Sequence, residues 1–321
     1  MNDFILISRW TGRFGNRMHQ YAYGLTYSHI NQVDFYTCSE WEGSVLFAKP
    51  SHRVFPDESC RFRLNQMRSQ QSEEYRQNVL NEYLERFGEK IVNLEPESDP
   101  DPYRKGRYSY FNSICASNQK IFDRMSRHHL REALSFSDEV KRLDVYKRLE
   151  DIQGTYDIAH LRRDDVANPN TNKCNYSVIS IESYKRAFKK YGVDERQVMW
   201  VSDDYTNQWA KQLGFEVDRN RLGWSYPAGS GYSPNIMFDW LADFLKLYFA
   251  RTIFRANSSF SWWAALLSPT GTVYSPRLTD RKLYGQDGLV EINVEFEEGN
   301  QPHWVHLDNS KCPDIRIRDH P

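Results

Sequence analysis

Ile158-Ala159-His160-Leu161-Arg162-Arg163-Asp164-Asp165 is the stretch from which the fold and the ligand class can be argued. The apolar run 156–159 predicts a buried strand, and two arginines and two aspartates follow its end. Open α/β folds bind ligands at the carboxyl ends of their parallel strands. Arginine binds phosphate through parallel hydrogen bonds and keeps its charge. The stretch therefore fits an anion site in which the aspartates hold the guanidinium groups, and it fits a surface salt-bridge cluster equally well.

The composition is that of a soluble globular protein. The chain has 321 residues, 40% of them hydrophobic and 26% charged, which allows one large or two medium domains. A net charge of -1 without a long basic block argues against a dedicated nucleic-acid binder. The five cysteines are scattered without a CxxC motif, so neither a zinc site nor a disulfide framework is indicated. The N-terminal apolar run is too short for a signal peptide or a membrane span, so we expect a cytoplasmic protein without a membrane segment.

The second half of the chain alternates between strand and helix patterns. Helical patterns cover 180–191, 205–213, 234–249 and 259–267, and strand patterns lie before, between and after them. Such alternation predicts a doubly wound, mostly parallel sheet, with 290–296 as an edge strand. The pattern breaks around 150–154, which predicts a boundary between an N-terminal domain, 1–150, and a C-terminal domain, 151–321.

A short strand at the N-terminus runs into a turn that contains glycines. Phe4 to Ser8 is the predicted strand, Gly12 and Gly15 lie in the turn, and a helical pattern begins at Met18. A glycine-bearing turn before a helix N-terminus can contact an anion. Every βα unit also needs a tight turn, so both interpretations stay open.

The run 257–265 is the second stretch with a chemical signature. It follows a predicted strand and opens a helix with Asn257, Ser258, Ser259 and Ser261. One serine suffices to cap a helix, which is the structural interpretation. Three hydroxyl groups and the backbone N–H groups of a helix N-terminus favour a pyrophosphate ligand, because the arginine strand indicates the same ligand.

Asp243 lies on the apolar stripe of the predicted helix 234–249. A buried carboxylate is costly without a partner. The adjacent N–H and NH2 donors of guanine would match its two oxygens, and a salt bridge to Arg251 or Arg255 would serve as well. The sequence leaves both open.

Ser202, Asp203 and Asp204 follow another predicted strand. Carboxylates there can bind a metal, act as a base or cap the next helix, and the cap is favoured. Among the histidines, His160 stands out because it lies on the arginine strand, and His19 because it follows the glycine turn and could face a cleft.

These stretches together resemble the α-1,2-fucosyltransferase family of the inverting, GDP-fucose-dependent superfamily. The matches run in chain order: 12–22 resembles G-x-L-G-N-Q-M-F-Q-Y-A, 108–113 with Phe122 resembles G-Y-F-Q-S…Y-F, 160–165 resembles H-x-R-R-G-D, 202–204 matches S-D-D, and 257–264 matches N-S-S-F-S-W-W-A. The last match is nearly letter for letter and is the most specific.

The resemblance implies a GT-B-like α/β fold of two Rossmann-like domains, with GDP-fucose bound by the second domain and the acceptor on the side of the first. It implies transfer of L-fucose, with inversion, to a glycan hydroxyl, in α-1,2 linkage to a galactose-type acceptor. Arg162 would stabilise the departing β-phosphate, Arg163 would be structural, and Asp243 would read guanine. Fixed positive charge would take the place of a divalent metal, and no cofactor is implied. The implied donor-binding residues are Gly15, Asn16, Arg17, His160, Arg162, Asp203, Asp243, Asn257, Ser258, Ser259, Phe260 and Ser261.

Three of the chain's departures from the family pattern bear on the site. Asp164 replaces glycine, Arg17 replaces glutamine and His19 replaces phenylalanine. The general base is not identified; Asp165, Asp164 and His19 are the candidates in that order, beside Arg162 as the other catalytic residue. The departures leave two alternatives open: the same fold acting on another GDP-sugar or acceptor, and a non-catalytic nucleotide- or glycan-binding protein.

Overall fold

The structure is a computed structural model. It describes residues 3–8, 10, 13–38, 41–48, 51–54, 78, 81, 82, 92–94, 107–110, 127–163, 178–203, 240–277 and 291–300. These residues form two compact units, one made of the described residues up to Asp138 and the other of those from Glu139 onward.

The described elements alternate as the sequence predicts. The strands are β1 Phe4–Ile7, β2 Asp34–Thr37, β3 Arg53–Val54, β4 Val92–Leu94, β5 Arg107–Tyr110, β6 Asp157–Leu161, β7 Val178–Ile179, β8 Met199–Ser202, β9 Thr252–Phe254, β10 Thr272–Pro276, β11 Glu291–Ile292 and β12 Phe296–Glu298. The helices are α1 Phe14–Asn31, α2 Gly43–Leu46, α3 Arg127–Ala133, α4 Asp138–Arg142, α5 Asp144–Asp151, α6 Ile181–Tyr191, α7 Leu241–Phe249 and α8 Ser259–Leu267, with a 3-10 turn at Glu195–Gln197.

The first unit is built on a parallel five-stranded sheet in the order β3-β2-β1-β5-β4. All four residues of β1 are fully buried, as expected for a central parallel strand. Helix α1 connects β1 to β2 and lies close to the sheet, because Gly24 has no side chain that would overlap the ring of Phe35.

Helix α1 begins four residues earlier than the sequence predicts, at Phe14 rather than Met18. The backbone N–H groups of Asn16 and Arg17 both reach the carbonyl of Arg13, at 2.9 and 3.2 Å. Gly15 therefore lies in the first helical turn instead of the preceding loop. The helix starts at Phe14 because its ring is buried there. Helix propensities do not include this tertiary contact, so they could not predict the start.

The second unit is built on a five-stranded sheet in the order β12-β10-β9-β6-β8. All pairs are parallel except β10 with β12, which are antiparallel. The chain moves from β6 outward to β8, then returns to β9 on the other side of β6. The doubly wound parallel sheet is confirmed. The direction in which the chain adds strands to the sheet reverses between β6 and β9. The core on one face includes Tyr184, Phe188, Trp200, Phe254 and Phe296.

The predicted strand 290–296 is two strands with different partners. Strand β11 pairs with β7 in a small parallel sheet, and β12 forms the antiparallel edge beside β10. Ser180 Oγ donates to Asn293 Oδ1 at 2.6 Å and fastens this segment to the start of α6. The predicted helix 205–213 lies outside the described residues.

The compact units divide earlier than the predicted boundary at residue 150. Helix α5 belongs to the second unit because it packs on α7, with the rings of Tyr146 and Phe249 5.0 Å apart. None of the helices described has both the length and the apolar composition needed to cross a membrane.

Candidate functional site

The carboxyl ends of β6, β8 and β9 lie side by side in the second unit. Leu161 is in register with Ser202 of β8, and Ala159 is in register with Phe254 of β9. The residues that follow these strands therefore meet at one edge of the sheet. The edge includes the point between β6 and β9 where the strand order reverses, which is where doubly wound folds bind ligands.

Asp203 holds the arginine stretch in place. Its Oδ2 forms an ion pair with Arg162 Nη1, and its Oδ1 accepts a 2.6 Å hydrogen bond from the backbone N–H of Arg163. The sequence interpretation gave the holding role to the adjacent Asp164 and Asp165, which lie outside the described residues. The described partner instead follows the neighbouring strand β8. Holding the arginine stretch was not among the roles considered for Asp203.

Arg163 is a buried structural residue, as the sequence analysis expects. Its side chain is 1% exposed, and its guanidinium donates to the backbone carbonyls of Ile179, at 2.8 Å, and Arg162, at 3.2 Å. Arg162 is different because 20% of its side chain is exposed. Of the two arginines, Arg162 is therefore the one with a surface that a ligand can contact.

His160 is a neutral imidazole between arginines. Burial, followed by the charges of Arg162, Arg255 and Arg163, lowers the pKa of His160 to about 3. Its Nδ1 is buried and has no hydrogen-bond partner in the part of the chain that the structure describes. At neutral pH a histidine with this pKa is uncharged, with one ring N–H that can donate and one ring nitrogen that can accept, so His160 can contribute hydrogen bonds and packing but not charge.

Arg255 is a site residue that the sequence analysis considered only as a partner for Asp243. It is fully buried directly after β9, and its Nε donates to Ser275 Oγ at 3.0 Å. Burial lowers the pKa of Arg255 to about 9, which still leaves it cationic at neutral pH. The available signal was an arginine directly after an apolar strand, the same pattern that singles out Arg162.

The N-terminus of α8 combines both interpretations of the serine run. Ser258 caps the helix, since its side chain accepts a hydrogen bond from the N–H of Phe260 at 3.3 Å. Ser261 is fully buried, and its hydroxyl points back to the carbonyls of Ser258 and Ala256, at 3.3 and 3.5 Å. Any anion at this end would therefore meet the helix N-terminus and Ser259 rather than the Ser261 hydroxyl.

Asn257 precedes this helix and is 7% exposed. Its Oδ1 is buried and lacks a hydrogen-bond partner within the described ranges. A buried amide oxygen without a partner is costly, and such atoms commonly meet a water molecule or a ligand. Its position after β9 places it at the same edge as Arg162.

Asp243 lies in the first turn of α7 and pairs with Lys246, with Nζ 3.0 Å from Oδ1. The sequence analysis named Arg251 or Arg255 as the alternative partner, but Arg251 instead binds Asp157 through two hydrogen bonds of 3.0 and 2.6 Å. The Asp243 side chain remains 22% exposed, so the pair leaves part of the carboxylate accessible.

Aromatic rings connect Asp243 to the arginine strand. Phe260 contacts Trp240 and Phe244, with ring centroids 6.0 and 5.3 Å apart, and these residues flank Asp243 in sequence. Phe260 also contacts His160, with ring centroids 5.7 Å apart. A flat ligand near Asp243 would therefore lie beside aromatic side chains, one of which, Phe260, also contacts His160 of the arginine strand.

The predicted site residues of the first unit lie at the start of α1. Gly15 and Asn16 are in its first turn, and Arg17 Nη1 lies 2.5 Å from Oε1 of Glu42. His19 is fully buried, and burial lowers its pKa to about 3. A general base must meet a substrate hydroxyl, so this geometry does not fit His19 as a base, and we take it as a core residue.

No group of three His, Cys, Asp or Glu side chains within the described ranges is arranged to hold a metal ion. Metal independence stays a prediction, because it concerns the reaction and not only these residues.

No family model matches the chain, and no curated protein matches it either. Solved structures do resemble it in fold. The chain is similar to a mutant of Arabidopsis thaliana FUT1 in complex with GDP, with a TM-score of 0.54 and 12% sequence identity over 92% of this chain and 74% of that one. It is also similar to the fucosyltransferase NodZ from Bradyrhizobium (TM-score 0.46, 14% identity, 88% and 97% covered) and to POFUT1 in complex with GDP (TM-score 0.41, 15% identity, 85% and 97% covered). The parallel sheets and the likeness to the first of these structures show that the chain has a GT-B-like α/β fold.

Proposed function

We propose that the chain is a glycosyltransferase that moves L-fucose from GDP-fucose to a hydroxyl group of a glycan, with inversion and without a divalent metal. A galactose-type acceptor and an α-1,2 linkage are the expected specificity. The observation that carries the proposal is that Arg162, which follows β6, and the N-terminus of α8, which follows β9, lie after the carboxyl ends of two neighbouring parallel strands. A side chain of fixed charge and a helix N-terminus both favour a diphosphate.

The proposed reaction is a single displacement at the anomeric carbon. The bond between C1 of the sugar and the β-phosphate oxygen breaks, and its electron pair leaves with GDP. The acceptor oxygen forms a bond to C1 from the opposite face, and its proton passes to a base. Negative charge grows on the departing phosphate, so the partly exposed guanidinium of Arg162 would stabilise the transition state more than the ground state.

The charge balance of this edge supports a metal-free mechanism. Arg162, Arg163 and Arg255 bring three guanidinium groups to the strand ends. Asp203 forms an ion pair with the guanidinium of Arg162 and accepts a hydrogen bond from the backbone N–H of Arg163, not from its side chain. GDP carries negative charge on both phosphates. An edge rich in fixed cations can neutralise a departing diphosphate in the way that a bound Mg²⁺ does elsewhere.

Asp243 and its aromatic neighbours support a purine base next to the phosphates. The partly exposed carboxylate can accept hydrogen bonds from two adjacent donors, which a guanine edge supplies, and Phe260 offers a ring beside it. Asp165 and Asp164 stay the candidates for the general base, because they follow Arg163 directly in the sequence.

The experiment that tests the proposal is donor profiling. The purified chain is incubated with GDP-fucose, other GDP-sugars and UDP-sugars, with and without lactose, and released nucleotide is measured in the presence of EDTA. We expect release from GDP-fucose that rises with lactose and is insensitive to the chelator.

The same experiment separates the alternatives. Release from a different GDP-sugar only would retain the reaction class and change the donor, which the charge at Asp164 in place of glycine motivates. Turnover of UDP-sugars alone would refute the proposal. A parallel calorimetric titration addresses the remaining alternative. Binding of GDP, with no release of nucleotide from any sugar donor at any pH, would identify a non-catalytic nucleotide-binding protein.

A further inference from the structure

A stacked pair of tryptophans lies beside the strand ends of the first unit. Trp10 follows β1 and Trp41 follows β2, and their rings stack with centroids 4.9 Å apart and planes inclined by 22°. Trp41 is wholly buried and also contacts Phe14, at 6.2 Å, and Tyr21, at 4.7 Å. Trp10 is only partly buried. Trp10 is therefore a partly exposed ring that stacks on a buried one, after the carboxyl ends of two neighbouring parallel strands.

A neutral polar pair adjoins this stack. Glu42 is next to Trp41 in sequence, and Arg17 Nη1 lies 2.5 Å from its Oε1. The side chain of Glu42 is 6% exposed and that of Arg17 is 21% exposed. The carboxylate balances the charge of the guanidinium, so the exposed part of Arg17 offers N–H donors without a net charge. Such a pair suits hydroxyl groups better than a phosphate, which needs an uncompensated cation.

The second oxygen of Glu42 needs an explanation. Its Oε2 is buried and makes no hydrogen bond with any residue that the structure describes. Of the polar groups around it, Ser44 Oγ bonds to Trp41 N and His52 Nε2, and Tyr21 OH accepts from Ser51 N, whereas Nε1 of Trp41 also lacks a hydrogen-bond partner among the described residues. A buried carboxylate oxygen without a partner is costly, which indicates that a donor reaches it in another state of the protein. A ligand hydroxyl is such a donor.

We propose that Trp10, backed by Trp41, and Arg17, held by Glu42, form a subsite for one pyranose ring of a neutral glycan. The inference rests on the proposed function and assigns its acceptor-binding surface. One face of a pyranose consists of C–H groups that pack on an aromatic ring, and its rim of hydroxyls bonds to polar side chains beside that ring. Arg17 occupies the position at which the α-1,2-fucosyltransferase family, which the sequence resembles, has glutamine. Both residues present planar N–H donors, and Glu42 removes the charge that would otherwise distinguish them.

The test is a comparison of Michaelis constants for acceptor and donor. Trp10→Ala, Trp10→Phe and Arg17→Ala are assayed with lactose and GDP-fucose, and Arg53→Ala, an exposed arginine of β3, is the matched control. Loss of the ring should raise the ratio of lactose KM to donor KM by about tenfold, which corresponds to one aromatic contact. Trp10→Phe should raise it less, Arg17→Ala should raise it, and the control should keep the wild-type ratio. A wild-type ratio in Trp10→Ala and Arg17→Ala would overturn the subsite.

A binding experiment without donor separates the two proposals. Saturation-transfer NMR is recorded with lactose, methyl β-xyloside and chitobiose on the wild type and on each variant, after thermal unfolding has shown that the variants fold. A saturation-transfer signal that is lost in Trp10→Ala supports the subsite, whether or not a GDP-sugar is turned over. The absence of GDP-sugar turnover refutes the proposed function alone. No transfer to any of these sugars in the wild type, or equal transfer in Trp10→Ala, refutes the subsite alone. If Trp10→Ala does not fold, weaker transfer in Trp10→Phe supports the subsite, and undiminished transfer overturns it.

Discussion

Replacing Asp203 by asparagine tests how the candidate phosphate site is held. The carboxylate serves two groups at once, the guanidinium of Arg162 and the backbone N–H of Arg163. Asparagine has nearly the same shape, and its carbonyl oxygen can still accept from the Arg163 N–H. Its NH2 group would face the Arg162 guanidinium, where two donors oppose each other. The substitution therefore releases Arg162 while the backbone after β6 stays held.

The expected loss follows from the exposure of the pair. A hydrogen bond to a charged group contributes about 1.5–3 kcal/mol. Because the side chains of Arg162 and Asp203 are 20% and 12% exposed, water screens the pair in part and a value near the lower end applies. About 2 kcal/mol corresponds to roughly 30-fold. If Arg162 acts on the leaving group, this loss falls mainly on kcat, with a smaller change in the KM for the donor.

The assay is steady-state release of GDP, with thermal unfolding of each variant as the control for folding. Asp194→Asn is the matched variant, since it breaks another aspartate–arginine pair, with the exposed Arg196, in the same unit. We expect kcat to fall in Asp203→Asn and to stay at the wild-type value in Asp194→Asn. Equal kcat values in the wild type and both variants would show that the orientation of Arg162 does not limit the reaction.

Three further predictions concern single residues. Arg162→Ala should lower kcat by roughly 10²–10³-fold, since one contact to a developing charge has this effect; Arg196→Ala is the exposed control, and equal rates would remove the leaving-group role. Burial lowers the pKa of His19 from 6.5 to about 3, so its stabilising contribution is complete above pH 6.5 and is lost as the pH falls toward 3. When the pH is lowered from 7 to 4.5, the free energy of unfolding should therefore fall by roughly 2 to 3 kcal/mol more in the wild type than in His19→Phe. Denaturant unfolding measures this difference, and an equal pH dependence in the two proteins would contradict the prediction. Gly24→Ala should destabilise the fold by roughly 1–3 kcal/mol, because the new Cβ overlaps the Phe35 ring, although alanine normally stabilises a helix; a raised Tm would contradict it.

Much of the second sheet could be predicted because its signals are local. Strands β6 and β9 are mostly apolar and every one of their residues is buried, as expected for strands covered on both faces. Helix α8 was predicted with its observed bounds, since Ser258 caps its start and Pro269 follows closely on its end. The arginines and serines after these strands could be placed together because parallel strand ends share one edge.

The misjudged features depend on partners distant in sequence. Nothing near residue 290 reveals that β11 and β12 pair with different sheets, because pairing is chosen by the strands they meet. The described partner of Arg162 is Asp203, 41 residues away, a contact that the sequence did not single out. The holding role predicted for Asp164 and Asp165 falls outside the described residues and stays a prediction. Sequence reasoning could locate the basic edge but could not assign the carboxylate that orients it, and it overlooked Glu42 and the Trp10–Trp41 stack entirely.

The late strands β11 and β12 have a consequence for how the second unit is made. Ser180 and Asn293, which fasten β7 to β11, are 113 residues apart, and β10 has its outer neighbour only when residues 296–298 are present. During synthesis, the hydrogen-bonding edge of β10 therefore stays open after β6, β8 and β9 have emerged from the ribosome. Open strand edges recruit other chains, and contacts this distant in sequence form slowly. We therefore expect the nascent second unit to be most prone to aggregation in the interval before residue 298 emerges, when the described sheet still lacks its edge strand β12.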